Sequence, residues 1–247
     1  MKAMILAAGL GTRLRPLTDD RPKALVEVGG KTLLEITLRR LASFGIRDVI
    51  VNVHHFADLV IEFLKEKDNF GMRVEISREE LLLDTGGGLK KAAWFFLDAP
   101  GSDGPFILHN VDVISTIDLT QMVRFHQEHG SLSTLAVRER KTSRYLLFDD
   151  TDQLCGRTDA AGTIEMVRQS RPAQPYAFCG IHVISPRMLT MISEENAFSI
   201  IATYLRLARE GEKVMAFHAD GPYWLDLGKP ENVAQATRDA ALQVVPI

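Results

Sequence analysis

Short apolar runs alternating with longer stretches of helical period leave this chain few ways to fold. Lys2–Ala7, Asp48–Val53, Met72–Ile76, Pro105–Asn110 and Ser133–Val137 read as strands. Leu33–Ser43 (capped by Thr32), Ala57–Lys67, Gly88–Leu97 and Leu119–Glu128 carry the spacing of helices. The alternation predicts right-handed βαβ units, hence an α/β fold: a Rossmann-like, mostly parallel sheet flanked by helices. Beyond residue 144 the pattern changes. Tyr145–Phe148, Thr163–Val167 and Tyr176–Ile184 are separated by Asp149-Asp150, Ala161-Gly162 and Gln174-Pro175, which predicts a small antiparallel β insertion or lid. A helix at Ser199–Arg209, a strand at Lys213–Phe217 and a helix at Pro230–Leu242 complete the pattern. No repeat or linker interrupts it, so one domain over 1–247 is expected.

Composition narrows the partners. With 29 basic and 32 acidic side chains the formal charge is −3, too few cations for a general nucleic-acid binder. No apolar run approaches the ~18 residues of a membrane span, so no membrane partner is expected. Cys155 and Cys179 do not make a Cys-x-x-Cys zinc motif and suit a reducing cytoplasm. Lys2 ahead of Ala3–Ala8 imitates a short signal peptide, but Gly9-Leu10-Gly11-Thr12-Arg13 follows at once, as it would after a buried strand.

That loop carries the chemistry. Gly9 and Gly11 permit close backbone approach and an anion-binding nest. A dinucleotide fingerprint would need a third glycine where Leu14 stands, and an acid after Val53 where His54-His55 stands. Instead Arg13, Arg15 and Lys23 load three cations onto a loop stiffened by Pro16 and Pro22, an arrangement suited to a triphosphate.

The run Leu6-Ala7-Ala8-Gly9-x-Gly11-Thr12-Arg13-Leu14-x-Pro16-Leu17-Thr18-x-x-x-Pro22-Lys23 resembles the signature of the sugar-1-phosphate nucleotidyltransferases (NDP-sugar pyrophosphorylases). The likeness continues along nearly the whole chain and is closest to the short bacterial members that act on mannose 1-phosphate or N-acetylmuramate 1-phosphate. The resemblance implies transfer of a nucleotidyl group from an NTP to a sugar 1-phosphate, giving NDP-sugar and pyrophosphate, with UTP or GTP as donor. It also implies one catalytic domain without a C-terminal β-helix, acting as a monomer or small homo-oligomer.

Residue roles follow from the same resemblance. Ala7, Ala8, Gly9, Gly11 and Thr12 would cradle the nucleotide, with Asn110, Thr85, Gly86 and Gly87 against it. Arg13 would hold the departing pyrophosphate and Lys23 would bridge the reacting phosphates. Asp112, in Asn110-Val111-Asp112, and Asp226, in Trp224-Leu225-Asp226-Leu227-Gly228, would hold Mg²⁺. Gly180 would leave room for the sugar ring. The chain departs from the family pattern at three places: Val111 replaces a glycine, Lys229 replaces a small hydroxyl residue, and Ser170-Arg171-Pro172 replaces Glu-Lys-Pro, leaving Arg171 or Arg168 to grip the sugar phosphate. Two alternatives stay open: a cytidylyl-type transferase for a non-sugar phosphate such as phosphocholine, and a non-catalytic nucleotide-sugar sensor. Other features read blandly. His126 and His129 are expected on a solvated helix face, His54-His55 as a satisfied loop pair, Trp94-Phe95-Phe96-Leu97 as core and Arg138-Glu139-Arg140-Lys141 as a solvated lid edge.

Overall fold

The computed structural model describes residues 1–97, 104–169, 172–245 and 247. Apolar β1 (Lys2–Leu6) lies in the middle of the sheet, followed by the small hairpin β2 (Glu27–Val28) and β3 (Lys31–Thr32). Then come α1 (Leu33–Ser43), β4 (Asp48–Val53), α2 (Ala57–Glu66) and β5 (Arg73–Arg78). Next are α3 (Asp84–Lys91), α4 (Trp94–Leu97), β6 (Phe106–Asn110), β7 (Val113–Ser115) and α5 (Leu119–Glu128). β1 pairs in parallel with β4 and β6, and β5 extends that ladder in parallel, as the βαβ reading predicts. Thr32 accepts the Glu35 N–H at 3.1 Å and so caps α1 as expected.

The second half is mixed. β8 (Ser133–Arg138), β9 (Leu146–Phe148), β10 (Leu154–Thr158), β11 (Ile164–Met166) and the long β12 (Gln174–Ile184) precede α6 (Ile200–Arg209). β13 (Val214–His218), β14 (Trp224–Asp226) and α7 (Pro230–Ala241) follow. β12 belongs to two ladders: its C-terminal part runs antiparallel to β6, while Gln174–Tyr176 pair with β9. The antiparallel insertion therefore grows out of the main sheet. Its strand β10 is absent from the sequence reading because Leu-Cys-Gly-Arg-Thr lacks polar–apolar alternation; at Gly156 a Cβ would lie 2.5 Å from the Glu165 carbonyl oxygen.

Apolar side chains fill both faces of the sheet. One cluster joins Ile5, Val51, Ile107 and Ile181 to α1 and α2; the other joins Met4, Leu108 and Ile184 to α3, α4 and α6. Among the described residues no helix is long and apolar enough to cross a membrane. Of the predicted aromatic core stripe, Phe95 and Phe96 are buried, whereas Trp94 and Leu97 are exposed. The solvated reading of His126 is corrected: the ring is buried between Thr134 Oγ1 (3.0 Å) and Ser185 Oγ (2.9 Å), and desolvation pushes its pKa down to about 4. His129 is exposed and stacks on Phe125.

Candidate active site

A cleft of about 350 Å³ opens at the carboxyl ends of β1, β4 and β6, where open α/β sheets place their ligands. Ala7, Ala8 and Gly9 line one side, Asn110, Val111 and Asp112 another, with Lys23, Leu82, Asp84 and Thr85 completing the rim. Beneath them runs a buried polar chain that the sequence reading missed. The Ala7 N–H donates to Asn52 Oδ1 at 2.7 Å, and Asn52 Nδ2 donates to Glu79 Oε1 at 2.7 Å. Glu79 Oε2 then accepts the Leu83 N–H at 3.0 Å. Asn52 and Glu79 are each only 2% exposed, and both reach the cleft wall. The available signal was an asparagine inside the otherwise apolar run of β4, where a polar group must find a partner. His54 is satisfied by the Glu79 carbonyl oxygen at 2.9 Å, as the loop-pair reading expects.

The two aspartates converge. β14 pairs antiparallel with β7 so that Asp226 stands opposite Val113, and the Leu227 N–H donates to the Asp112 carbonyl oxygen at 2.7 Å. This ladder brings the backbones of two aspartates 114 positions apart onto neighbouring strands. Lys23 Nζ forms an ion pair with Asp112, in a setting where both side chains are mostly buried. Asp226 Oδ1 accepts the Gly228 N–H at 2.7 Å, and a Cβ on Gly228 would lie 2.8 Å from that oxygen and 2.9 Å from the Arg13 guanidinium. Arg13, exposed on its loop, thus lies over the Asp226 turn. Gly11 sits in the left-handed region (φ 67°), its carbonyl held by the Thr18 hydroxyl at 2.9 Å; Thr12 beyond it is exposed. The Asp112 and Asp226 carboxylates are hard oxygen donors, the type of ligand that Mg²⁺ takes. No group of three or more His, Cys, Asp or Glu suited to an ion is found among the described residues.

Other expected site residues are placed differently. Helix α3 begins at Asp84, so the glycines lie inside it and not ahead of it. The Gly86 and Gly87 N–H groups donate to the Phe198 carbonyl oxygen at 2.9 and 3.3 Å, which occupies donors a free helix N-terminus would offer a ligand. A Cβ would strike the Phe198 ring at Gly86 (2.3 Å) and the Asn196 carbonyl oxygen at Gly87 (2.7 Å), so these glycines serve close packing while Thr85 lines the cleft. Arg168 is turned to Asp149 (3.5 Å) and Gln153 (3.4 Å), away from the cleft lining. Arg171 and Ser170 lie outside the described residues. Val111 is 3% exposed and has no positive φ, so its backbone does not require glycine.

Gly180 packs against Asn110, a residue of the cleft wall. Its φ is 75°, the β8–β12 register shifts between Phe178 and His182, and a Cβ would lie 2.9 Å from both Asn110 Nδ2 and Val113 Cγ2. The bulge presses β12 onto the loop that carries Asp112. Trp224 anchors this wall by donating Nε1–H to the Cys179 carbonyl oxygen at 2.8 Å. The solvated reading holds for Glu139 and Lys141, which are exposed, and is corrected for Arg138 and Arg140, which are half-buried with their guanidiniums 5.8 and 4.6 Å from the Trp224 ring centre.

Comparison with known proteins agrees with this geometry. The nucleotidyl transferase family model matches residues 2–243. N-acetylmuramate α-1-phosphate uridylyltransferase of Caulobacter vibrioides is 34% identical over 238 residues, 93% of this chain and 92% of that protein. Mannose-1-phosphate guanyltransferase of Candida albicans is 31% identical over 242 residues, covering 96% of this chain but only 64% of the longer relative. Among solved structures, a putative glucose-1-phosphate thymidylyltransferase from Bacillus anthracis, 17% identical, superposes with a TM-score of 0.80 over 100% of this chain and 97% of the other, which attests the fold.

Proposed function

Since this chain belongs to the nucleotidyl transferase family, we propose that it joins an NTP to a sugar 1-phosphate, releasing NDP-sugar and pyrophosphate. The observation that carries this reading is the Lys23–Asp112 pair on the cleft wall, with the Asp226 strand paired beside it and Arg13 lying over the Asp226 turn. An oxygen of the sugar phosphate attacks the α-phosphorus as the bond to the β-phosphate oxygen breaks, and the electron pair leaves with pyrophosphate. The nucleophile is already an anion, so no side chain need take a proton. Catalysis is in-line placement and charge neutralisation.

Main chain at Ala7–Gly9 holds the nucleotide against the Asn52–Glu79 layer, which fixes the height of that strand end. Lys23 presents its ammonium to the reacting phosphates from beside Asp112, and Arg13 faces the departing pyrophosphate. Asp112 and Asp226 would hold Mg²⁺, which when bound supplies further positive charge to the triphosphate. The pairing of UTP with N-acetylmuramate 1-phosphate is favoured by the Caulobacter relative, with GTP and mannose 1-phosphate as the second pairing. We place the activity in the cytoplasm, feeding synthesis of cell-envelope polysaccharide. A phosphocholine-type acceptor is disfavoured because Arg138 and Arg140 already occupy the Trp224 face that a quaternary ammonium would need. Pyrophosphate release assayed across a matrix of NTPs and sugar 1-phosphates with Mg²⁺ tests the proposal; turnover by at least one pair is expected, and none across the matrix overturns it.

A further inference from the structure

Arg140 lacks the partner that its position demands. Among the described residues its buried Nε makes no hydrogen bond, and its terminal nitrogens reach only the carbonyl oxygens of Phe178 (3.3 Å) and Lys141 (3.5 Å). Arg138 beside it donates to the Asp220 carbonyl oxygen at 3.1 Å, while the Asp220 carboxylate is engaged by the Glu139 N–H at 2.6 Å. Neither arginine forms an ion pair with a carboxylate among the described residues. Two half-buried like charges thus share the same indole, an arrangement that costs free energy unless an anion completes it.

Location says which anion. Trp224 and Asp226 are two residues apart on β14, so their side chains leave the strand on one face. Trp224 is tied to the Cys179 carbonyl oxygen, and Gly180, the next residue, presses on Asn110 at the cleft wall. A chain of contacts therefore links Arg140 through Trp224 and the Cys179–Gly180 backbone to Asn110, two residues before Asp112 on the cleft wall. Both guanidiniums are also near enough to act electrostatically on the Cys179 thiol in that wall.

We propose that Arg140, stacked on Trp224 and flanked by Arg138, is the cation that grips the anionic oxygens of the acceptor substrate, in place of Arg168. The inference rests on the nucleotidyl-transfer reading for the identity of the acceptor, and on the structure for the site. The terminal nitrogens of Arg140 are held only by main-chain carbonyls among the described residues, and a planar guanidinium can meet two anion oxygens at once, which an ammonium group cannot do.

Steady-state kinetics of R140M, R140K and R168M test this. For R140M, KM for the sugar 1-phosphate should rise about 30-fold, the loss of one or two charge-assisted hydrogen bonds, while KM for the NTP stays within about twofold. R140K should recover only part of the loss, and R168M should match the wild type. An equal rise with mannose 1-phosphate and N-acetylmuramate 1-phosphate puts Arg140 on the 1-phosphate; a rise confined to the latter puts it on the ring-borne carboxylate. An acceptor KM unchanged in R140M overturns the inference and leaves the reaction standing. Should the wild type turn over no pair, the reaction reading fails by itself. The arginine is then judged by calorimetric titration with inorganic phosphate, where weaker binding by R140M upholds it and equal affinity overturns it.

Discussion

The two regions proposed to receive the nucleotide and the acceptor are built by opposite means. At the nucleotide end, polar groups are buried and already satisfied: the Ala7 N–H, Asn52, Glu79 and the Leu83 N–H close a chain of hydrogen bonds before any ligand arrives. At the acceptor end, Arg138 and Arg140 lie on Trp224 with main-chain carbonyls as their acceptors and no carboxylate partner among the described residues. The first end contributes rigidity, the second unspent charge. Recognition of the nucleotide should therefore depend on how well the wall is built, and recognition of the acceptor on one side chain.

The largest effect is expected at the junction between the two ends. D112N or D226N removes a negative charge from the proposed Mg²⁺ pair and should cut turnover about 10³-fold, a loss of several kcal/mol of transition-state stabilisation. Near-wild-type rates in either variant would refute the metal assignment. At the nucleotide end, N52A leaves the Ala7 N–H and Glu79 Oε1 unpaired, which costs about 1–3 kcal/mol of stability and raises KM for the NTP roughly tenfold. Urea unfolding and initial rates check the two parts, and an unchanged NTP KM would show that the buried chain does not shape the site.

G86A sharpens the same contrast. Its Cβ would lie 2.3 Å from the Phe198 ring, and the clash outweighs the helix propensity gained, so stability should fall by about 1–3 kcal/mol. The loss should read as a lower melting temperature with acceptor KM unmoved.

The most gradual effect is in pH. Burial depresses His126 to about 4 and His182 to about 3, so the unfolded chain, with ordinary histidines, takes up protons first as pH falls. The stability these rings contribute is complete above pH ~6.5 and declines toward pH 4, by up to ~1.4 kcal/mol per unit for each histidine. Unfolding titrations between pH 4.5 and 7 should show that slope, shallower in H126Q; a slope identical to wild type would mean His126 is not the group titrating.

Much of the nucleotide end was legible in the sequence because it is local. The run from Lys2 through Lys23 carries strand, glycine turn and cations in one stretch, and the βαβ alternation places it at the strand ends. The acceptor end was not, since it depends on distant pairing. Arg140 looks solvated in a charged run, and only the packing of β14 and the Gly180 bulge puts Trp224 beneath it. Sequence motif also misled at the triple glycine, where small residues marked contact with the Asn196–Ile200 segment and the buried Asn52–Glu79 pair. His126 misled in the same way, because its two hydroxyl partners come from β8 and from the residue after β12.

The β7–β14 ladder has a consequence for the life of the chain. Because Asp112 acquires its neighbour only when the segment around Asp226 has been made and laid alongside, a nascent polypeptide that already owns the glycine loop, Arg13 and Lys23 still lacks half of its carboxylate pair. On the proposed metal assignment, such an unfinished molecule would be missing one of the two ligands its chemistry needs.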